Sequence, residues 1–254
     1  MTHSLHTLVR DLRLRRGRER RGLALAEGVR LVEEALAARV SIRHLLASPA
    51  LEATPRGQSL KAALASAGHR IVPLGERDFD QLAATQHPQG ILAVIEPPRW
   101  ELAAIHPGAL APVLVLDGVQ DPGNVGTMVR TAFALGAAGI LALPGTAELT
   151  NPKTLRATMG GYFRLPCVEV EETGFRRWAE SAEVRVLLAA VDGPAFPGAG
   201  GTSLAVVVGN EGQGIRPSLA AWAQGRIGIA LREGAESLNV AVAAGILLYE
   251  VTRG

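Results

Sequence analysis

Val113–Ala132 reads V-L-V-L-D-G-V-Q-D-P-G-N-V-G-T-M-V-R-T-A. Its first four residues are apolar at every position, the pattern of a strand buried on both faces, as in a parallel sheet. A turn rich in Gly and Asp follows, then a helical stretch over Gly126–Leu135. Comparable apolar runs recur at Gly139–Leu143, Val184–Val191 and Leu204–Val208, with a shorter one at Ile227–Leu231. Helical stretches fall between them near Pro152–Met159 and at Gly174–Ser181. This alternation predicts an α/β domain with a mostly parallel sheet and crossover helices.

Upstream the pattern is also mixed, but the pieces are shorter. Helices are expected over Arg10–Arg21, Val29–Ala38, Ser59–Ala67 and residues 76–84; strands over Leu23–Ala26, Ile42–Ala47, Arg70–Leu74 and Ile91–Ile95. Val29, Val32 and Leu36 recur at helix spacing. Pro97, Pro98, Pro107 and Pro112 then discourage regular structure. The boundary is placed there, giving domains at 1–98 and 110–254.

The chain has 254 residues, 48% of them hydrophobic, enough for one large or two modest cores at ~150 residues per domain. No run approaches the ~20 apolar residues of a membrane span. The N-terminus lacks the apolar stretch and cleavage site of a signal peptide, so a cytoplasmic protein is expected. Cys167 is the single cysteine and reads as a small buried hydrophobe; the six histidines do not sit at ligand spacing around it, so no metal is expected.

Charge is unevenly spread. Residues 1–30 hold eight arginines against Asp11, Glu19 and Glu27, a local net +5, whereas the rest of the chain carries −3. A basic segment on a faintly acidic body suggests a polyanionic partner. Arg16, Arg18, Arg20 and Arg21 are the candidates for RNA contact; a solvated helix is the plainer alternative, and Arg is preferred throughout, with Lys61 and Lys153 the only lysines. Aromatic content of 4% is too low for recognition by many stacked bases.

Three polar segments interrupt the apolar frame. In the first, Asn124 and Arg130 follow a strand, where ligands of open α/β sheets bind. They are six positions apart and cannot share one helix face; Asn124 is expected in the loop and Arg130 in the second helical turn, aimed at the same cleft. In the second, Leu204–Ile215 (L-A-V-V-V-G-N-E-G-Q-G-I), a buried strand ends in three glycines around Glu211. Such a turn can hold an adenine edge or a ribose with backbone groups alone. The third is Leu231–Glu250, where Ser237-Leu238-Asn239 opens an apolar helix. Ser237 is expected to cap it, with Asn239 in the first turn. A dinucleotide site fits poorly: Gly118, Gly123 and Gly126 are not spaced as that fingerprint requires, and no acid ends the next strand.

Taken together, in this order, the three segments resemble the motifs of the SpoU (TrmH-like) RNA 2'-O-ribose methyltransferases. The resemblance implies a C-terminal domain with a deep trefoil knot, which sequence physics alone does not suggest. It also implies a small ribosomal-protein-like RNA-binding domain in front, matched by L-A-E-G-V-R-L-V-E-E-A-L and T-Q-H-P-Q-G-I-L-A-V. S-adenosylmethionine is the implied cofactor, RNA (ribosomal most of all) the implied substrate, and a homodimer through the C-terminal domain the implied assembly. Carried over residue by residue, Asn124, Arg130, Glu211, Ser237 and Asn239 form the functional set. Val208, Gly209, Asn210, Gly214, Ile229, Ala230, Leu231, Ser237 and Leu238 would line the cofactor site. Lys153 and Arg156, in N-P-K-T-L-R-A-T-M-G-G-Y-F-R-L-P, are implied RNA contacts, and Glu211 would hold Arg130. Ala230 stands where the family often has Pro, and Ala241 and Thr158 stand for frequent Ser. His87 is assigned a structural or RNA-contact role. A tRNA methyltransferase and an inactive RNA-binding or ribosome-assembly protein are the competing readings.

Overall fold

The computed structural model describes residues 2–196, 198 and 200–253. In chain order the first elements are α1 (Thr2–Leu12), α2 (Arg15–Arg21), β1 (Ala24–Glu27), α3 (Val29–Ala37), β2 (Ser41–Ala47), α4 (Pro55–Ser66), β3 (Ile71–Pro73), α5 (Glu76–Leu82) and β4 (Ile91–Glu96). Then come β5 (Val113–Asp117), α6 (Pro122–Ala134), β6 (Gly139–Ala142), α7 (Pro152–Thr158), β7 (Cys167–Glu169), α8 (Glu172–Ser181), β8 (Arg185–Ala189), β9 (Leu204–Gly209), α9 (Pro217–Trp222), β10 (Gly225–Ile227) and α10 (Val240–Arg253). β7 and α9 were not expected, because each has too few residues to show a period in the sequence.

The chain forms two compact units. The first is Met1–Pro98 with Thr150–Phe163, and the second is Arg99–Leu149 with Arg164–Gly254. The segment Thr150–Phe163, expected in the second domain, therefore packs with the first.

In the first unit a four-stranded sheet runs β1-β4-β2-β3, with β2–β3 parallel and the other pairs antiparallel. Val9, Leu12, Leu25, Leu46, Phe79, Leu82, Leu92 and Val94 share its core. The helix expected over Arg10–Arg21 is broken in two, because Leu14 adopts extended backbone between α1 and α2. A Cβ on Gly17 would lie 2.0 Å from the Asp11 carbonyl oxygen, so only glycine permits this close return. Arg18 fastens the break. It is 4% exposed, and its Nη1 donates to the carbonyls of Leu12 and Arg13, both at 2.8 Å. An arginine on the last carbonyls of a helix satisfies groups that otherwise lack partners. Arg18 is thus not the surface RNA contact the charge run suggested. Arg20 and Arg21 remain exposed but both pair with Asp11, which holds that carboxyl below its usual range, Arg21 most strongly.

α7 begins at Asn151, whose Oδ1 accepts from the Lys153 N–H at 2.8 Å, with Pro152 at the first helical position. Lys153 is exposed. Arg156 instead turns toward Glu27, Nη1 to Oε2 3.7 Å. Glu27 is buried and already accepts from the Ala84 N–H at 2.8 Å and from Thr85. Arg156 thus has a buried carboxylate as its neighbour and is half-buried, where its expected RNA contact assumed an open side chain. Thr158 keeps the hydroxyl role its position needs: buried, it donates to the Leu155 carbonyl at 2.7 Å.

The second unit holds a six-stranded sheet ordered β10-β8-β9-β5-β6-β7, parallel at every pair. The apolar runs are buried as expected for such a sheet, with Val113, Val115, Leu141, Phe175, Val186, Ala205, Val207 and Leu219 in one core. Phe175→Ala there would cost ~3–5 kcal/mol. Cys167 is buried, and burial raises its thiol pKa, consistent with a packing role. Among the described residues no helix is long and apolar enough to cross a membrane, and no cluster of His, Cys, Asp and Glu could hold a metal.

Candidate active site

Parallel strands bring their C-terminal ends to one edge. Asp117 at the end of β5 lies opposite Gly209 at the end of β9, with β8 and β10 next in order. The chain leaving β8, β9 and β10 lines a cleft of about 500 Å³ at that edge. Ala189–Val191, Val208–Glu211, Gly228, Ile229 and Leu231 form its walls, and Ser237, Leu238, Asn239, Val240, Ala243 and Leu247 its remaining side. This is the edge where open α/β sheets bind ligands, and the volume suits a small organic molecule. A Cβ on Gly209 would sit 2.4 Å from the Gly214 backbone, so the strand end and the returning loop admit no side chain between them. The loop closes through Asn210 and Gly214, whose N–H groups donate to each other's carbonyls at 3.0 and 2.9 Å. Gly214 takes φ +70°, a left-handed conformation open to glycine.

One chain of side-chain hydrogen bonds links the three polar segments. Asn239 Nδ2 donates to Asn124 Oδ1 at 3.1 Å, and Asn124 Nδ2 donates to Glu211 Oε1 at 3.0 Å. Glu211 also accepts from the backbone N–H groups of Gln120 (3.2 Å) and Asp121 (3.5 Å). Burial pushes the Glu211 carboxyl up, but the bonds from Asn124 and the nearby backbone outweigh it and hold the group below the usual carboxylate range. Among the described residues, Glu211 is the single ionisable one lining the cleft. A neutral wall with one carboxylate fits a ligand that carries a cationic centre beside neutral polar rings.

The helix starts differ from expectation. α6 begins four residues early, capped by Asp121, whose Oδ1 accepts from the Asn124 N–H at 2.9 Å, with Pro122 at the first helical position. Asp-Pro was the available signal for that start. Asn124 is therefore in the first helical turn, not in the loop. α10 begins at Val240, and its cap is Asn239, which accepts from the N–H groups of Ala241 (2.9 Å) and Val242 (3.3 Å). Ser237 stands outside the helix at the cleft, so its expected capping role passes to Asn239.

Of the expected cofactor residues, Val208, Gly209, Asn210, Gly214, Ile229, Leu231, Ser237 and Leu238 line the cleft; Ala230 does not, and its side is exposed. Arg130 lies outside the cleft, exposed on α6. At 100° per residue it is turned about 120° from Asn124, and Glu211 bonds to Asn124 in its place. Sequence reasoning missed Ala189–Val191, whose only signal was their place at the end of the apolar run Val184–Val191. It also missed Asp117 and Arg216, which pair at 2.5 Å.

Residues 111–249 match the model of the SpoU rRNA Methylase family, and residues 8–93 match the MRM3-like substrate binding domain. The chain belongs to the SpoU rRNA methylase family. A curated relative, 23S rRNA (guanosine(2553)-2'-O)-methyltransferase RlmP of Bacillus subtilis, is 34% identical over 246 residues, 95% of this chain and 93% of that protein. Among solved structures, the AdoMet-bound rRNA methyltransferase of Sinorhizobium meliloti superposes with a TM-score of 0.86 at 30% identity, covering 100% of this chain and 95% of that one. The SpoU methyltransferase AviRb of Streptomyces viridochromogenes, in complex with AdoMet, gives 0.85 at 26% identity over 97% and 95%. Asn124, Glu211 and Asn239 all lie within the stretch that matches the SpoU family.

Proposed function

We propose that this protein is an S-adenosylmethionine-dependent RNA 2'-O-ribose methyltransferase acting on ribosomal RNA in the cytoplasm. The observation that carries the reading is the bonded series Asn239–Asn124–Glu211 at the edge of a cleft of about 500 Å³. The relatives, named as rRNA methyltransferases, support ribosomal RNA as the substrate class. Residues 110–254 are proposed as the methyltransferase domain and residues 1–98, joined by Thr150–Phe163, as the RNA-binding part, with Arg16, Arg20 and Arg21 of the N-terminal segment and Lys153 of α7 its candidate contacts. Backbone of Val208–Asn210, Ile229 and Leu231, with Ser237 and Leu238, would hold the adenosine and methionine parts, and Glu211 would face the cationic end. When bound, the cofactor supplies a methyl group on a good leaving group. The protein must align the ribose oxygen in line with it and ease loss of the hydroxyl proton.

Arg130 is assigned that second task. A guanidinium offers only donors and no acceptor, so it does not serve as a base. It grips the neighbouring phosphate and stabilises the developing alkoxide, and that phosphate assists the proton's departure. Because Arg130 lies outside its own chain's cleft, we infer that it acts in a homodimer. α10 presents Val242, Ile246 and Tyr249 as exposed apolar residues along a groove that Thr127 and Thr131 of α6 and Gly245 also line. Val242, Ile246 and Tyr249 form a stripe at i, i+4 and i+7, the spacing of a helix face that seeks a partner. Pairing of two copies along this face would bring Arg130 to the seam. A trefoil knot is proposed for the second unit, and its support is the match of residues 111–249 to the SpoU family. Mapping of ribose methylation by mass spectrometry in RNA from cells with and without the protein tests the activity: one lost methylation is expected. Binding of RNA with no lost methyl and no heat on titration with S-adenosylmethionine would leave an RNA-binding protein instead.

A further inference from the structure

We infer that Arg216 is a positioning residue, which through its fork on Asp117 holds the Gly209–Ile215 loop where Glu211 meets Asn124. The inference rests on the reading of the cleft as an S-adenosylmethionine site. Asp117 ends β5 and is 3% exposed. A carboxylate so buried needs full pairing to be tolerated. Arg216 supplies it three times: its backbone N–H reaches Oδ2 at 2.8 Å, Nε reaches Oδ1 at 2.6 Å, and Nη2 lies 2.5 Å from Oδ1. Nη2 also donates to the Pro144 carbonyl at 2.8 Å, and Nη1 lies 3.5 Å from a Glu172 carboxylate oxygen. One guanidinium therefore joins the end of β5, the loop after β6 and the start of α8 to the residue that leaves the glycine loop.

The other end of that loop is pinned as well. Asn210 Nδ2 donates to the Gly118 carbonyl at 2.8 Å, and its Oδ1 accepts from the N–H groups of Gly212 and Gln213, both at 2.9 Å. Between the two pins lie Glu211, Gly214 and Ile215, all of which line the cleft, whereas neither Asp117 nor Arg216 does. Any effect of the ion pair on the ligand thus passes through the loop. Lysine keeps the charge but cannot form the fork or reach the same set of partners.

The test uses the full-length protein, S-adenosylmethionine titrated by calorimetry across pH, and thermal melting in parallel. Glu211 has a lowered folded pKa, so the loop's contribution is complete above the ordinary carboxylate value and is lost as pH falls through the held-down value. In Arg216→Lys the Kd is expected to rise about tenfold. The pH at which binding fails should move up toward the ordinary carboxylate value of ~4.3. Asp117→Asn with Arg216→Gln removes both charges, so neither is stranded, and guards against a variant that does not fold. It is expected to melt near the parent and to show the same loss of binding. Parent-like Kd and parent-like pH dependence in either folded variant would overturn the inference. No heat with the parent protein itself would instead remove the cofactor reading beneath it.

Discussion

The cleft edge of the second unit and the arginine-rich start of the first make opposite use of polar residues. At the cleft, Asn239, Asn124 and Glu211 lie far apart in sequence and bond to one another. In the arm, neighbours in sequence have separate fates: Arg18 is buried on helix carbonyls, Arg20 and Arg21 pair with Asp11, and Arg16 is exposed. Isolated polar residues in an apolar frame point to geometry, because each needs a partner wherever the fold puts it. A run of like charges describes composition, and the fold then divides its members.

The largest expected effect tests whether the cleft works through one residue outside it. Arg130→Ala should lower transfer of a labelled methyl group to RNA about 10²–10³-fold with the Kd for S-adenosylmethionine unchanged. Near-native turnover in Arg130→Lys would show that the planar fork is not what matters. Next comes Arg18→Ala, which deletes two charge-assisted bonds from a buried site. A loss of about 2 kcal/mol in urea unfolding is expected, with no change in the salt dependence of RNA binding by the protein that remains folded. Asn239→Ala removes both the α10 cap and the bond to Asn124. About 1 kcal/mol of stability and roughly tenfold in cofactor Kd should go together; loss of stability alone would reduce Asn239 to a cap. The smallest effect is in Arg16→Ala, where melting should not move and the slope of log affinity against log salt should fall by just under one. An unchanged slope there, or a changed one in Arg18→Ala, would erase the contrast.

The apolar runs announced the parallel sheet because each residue of Val113–Leu116 or Leu204–Val208 is buried on whichever face it meets. The glycines around Glu211 marked one wall of the cleft, whereas Ile229, Leu231 and Leu238 came only with the family resemblance and Ala189–Val191 not at all. What stayed hidden was long-range pairing. Nothing local marks Arg216 as the partner of Asp117, 99 residues away, although a lone acid closing an apolar strand is a sign that some partner exists. The start of α10 depends on such pairing, whereas the start of α6 carried a local signal in Asp121-Pro122. Ser237 and Asn239 are both good caps by residue type, and the choice between them depends on Asn239 reaching Asn124 on another element. Arg156 was likewise unreadable, since Glu27 is remote in sequence and becomes its neighbour when α7 joins the first unit.

Because Thr150–Phe163 belongs to the first unit, that unit is not a contiguous stretch of chain. During synthesis the nascent polypeptide must emerge to Phe163 before the unit has all its parts. A fragment ending at Pro98 would leave the ribosome lacking α7. The order in which the two halves mature is therefore interleaved, and no single cut in the gene yields both of them whole.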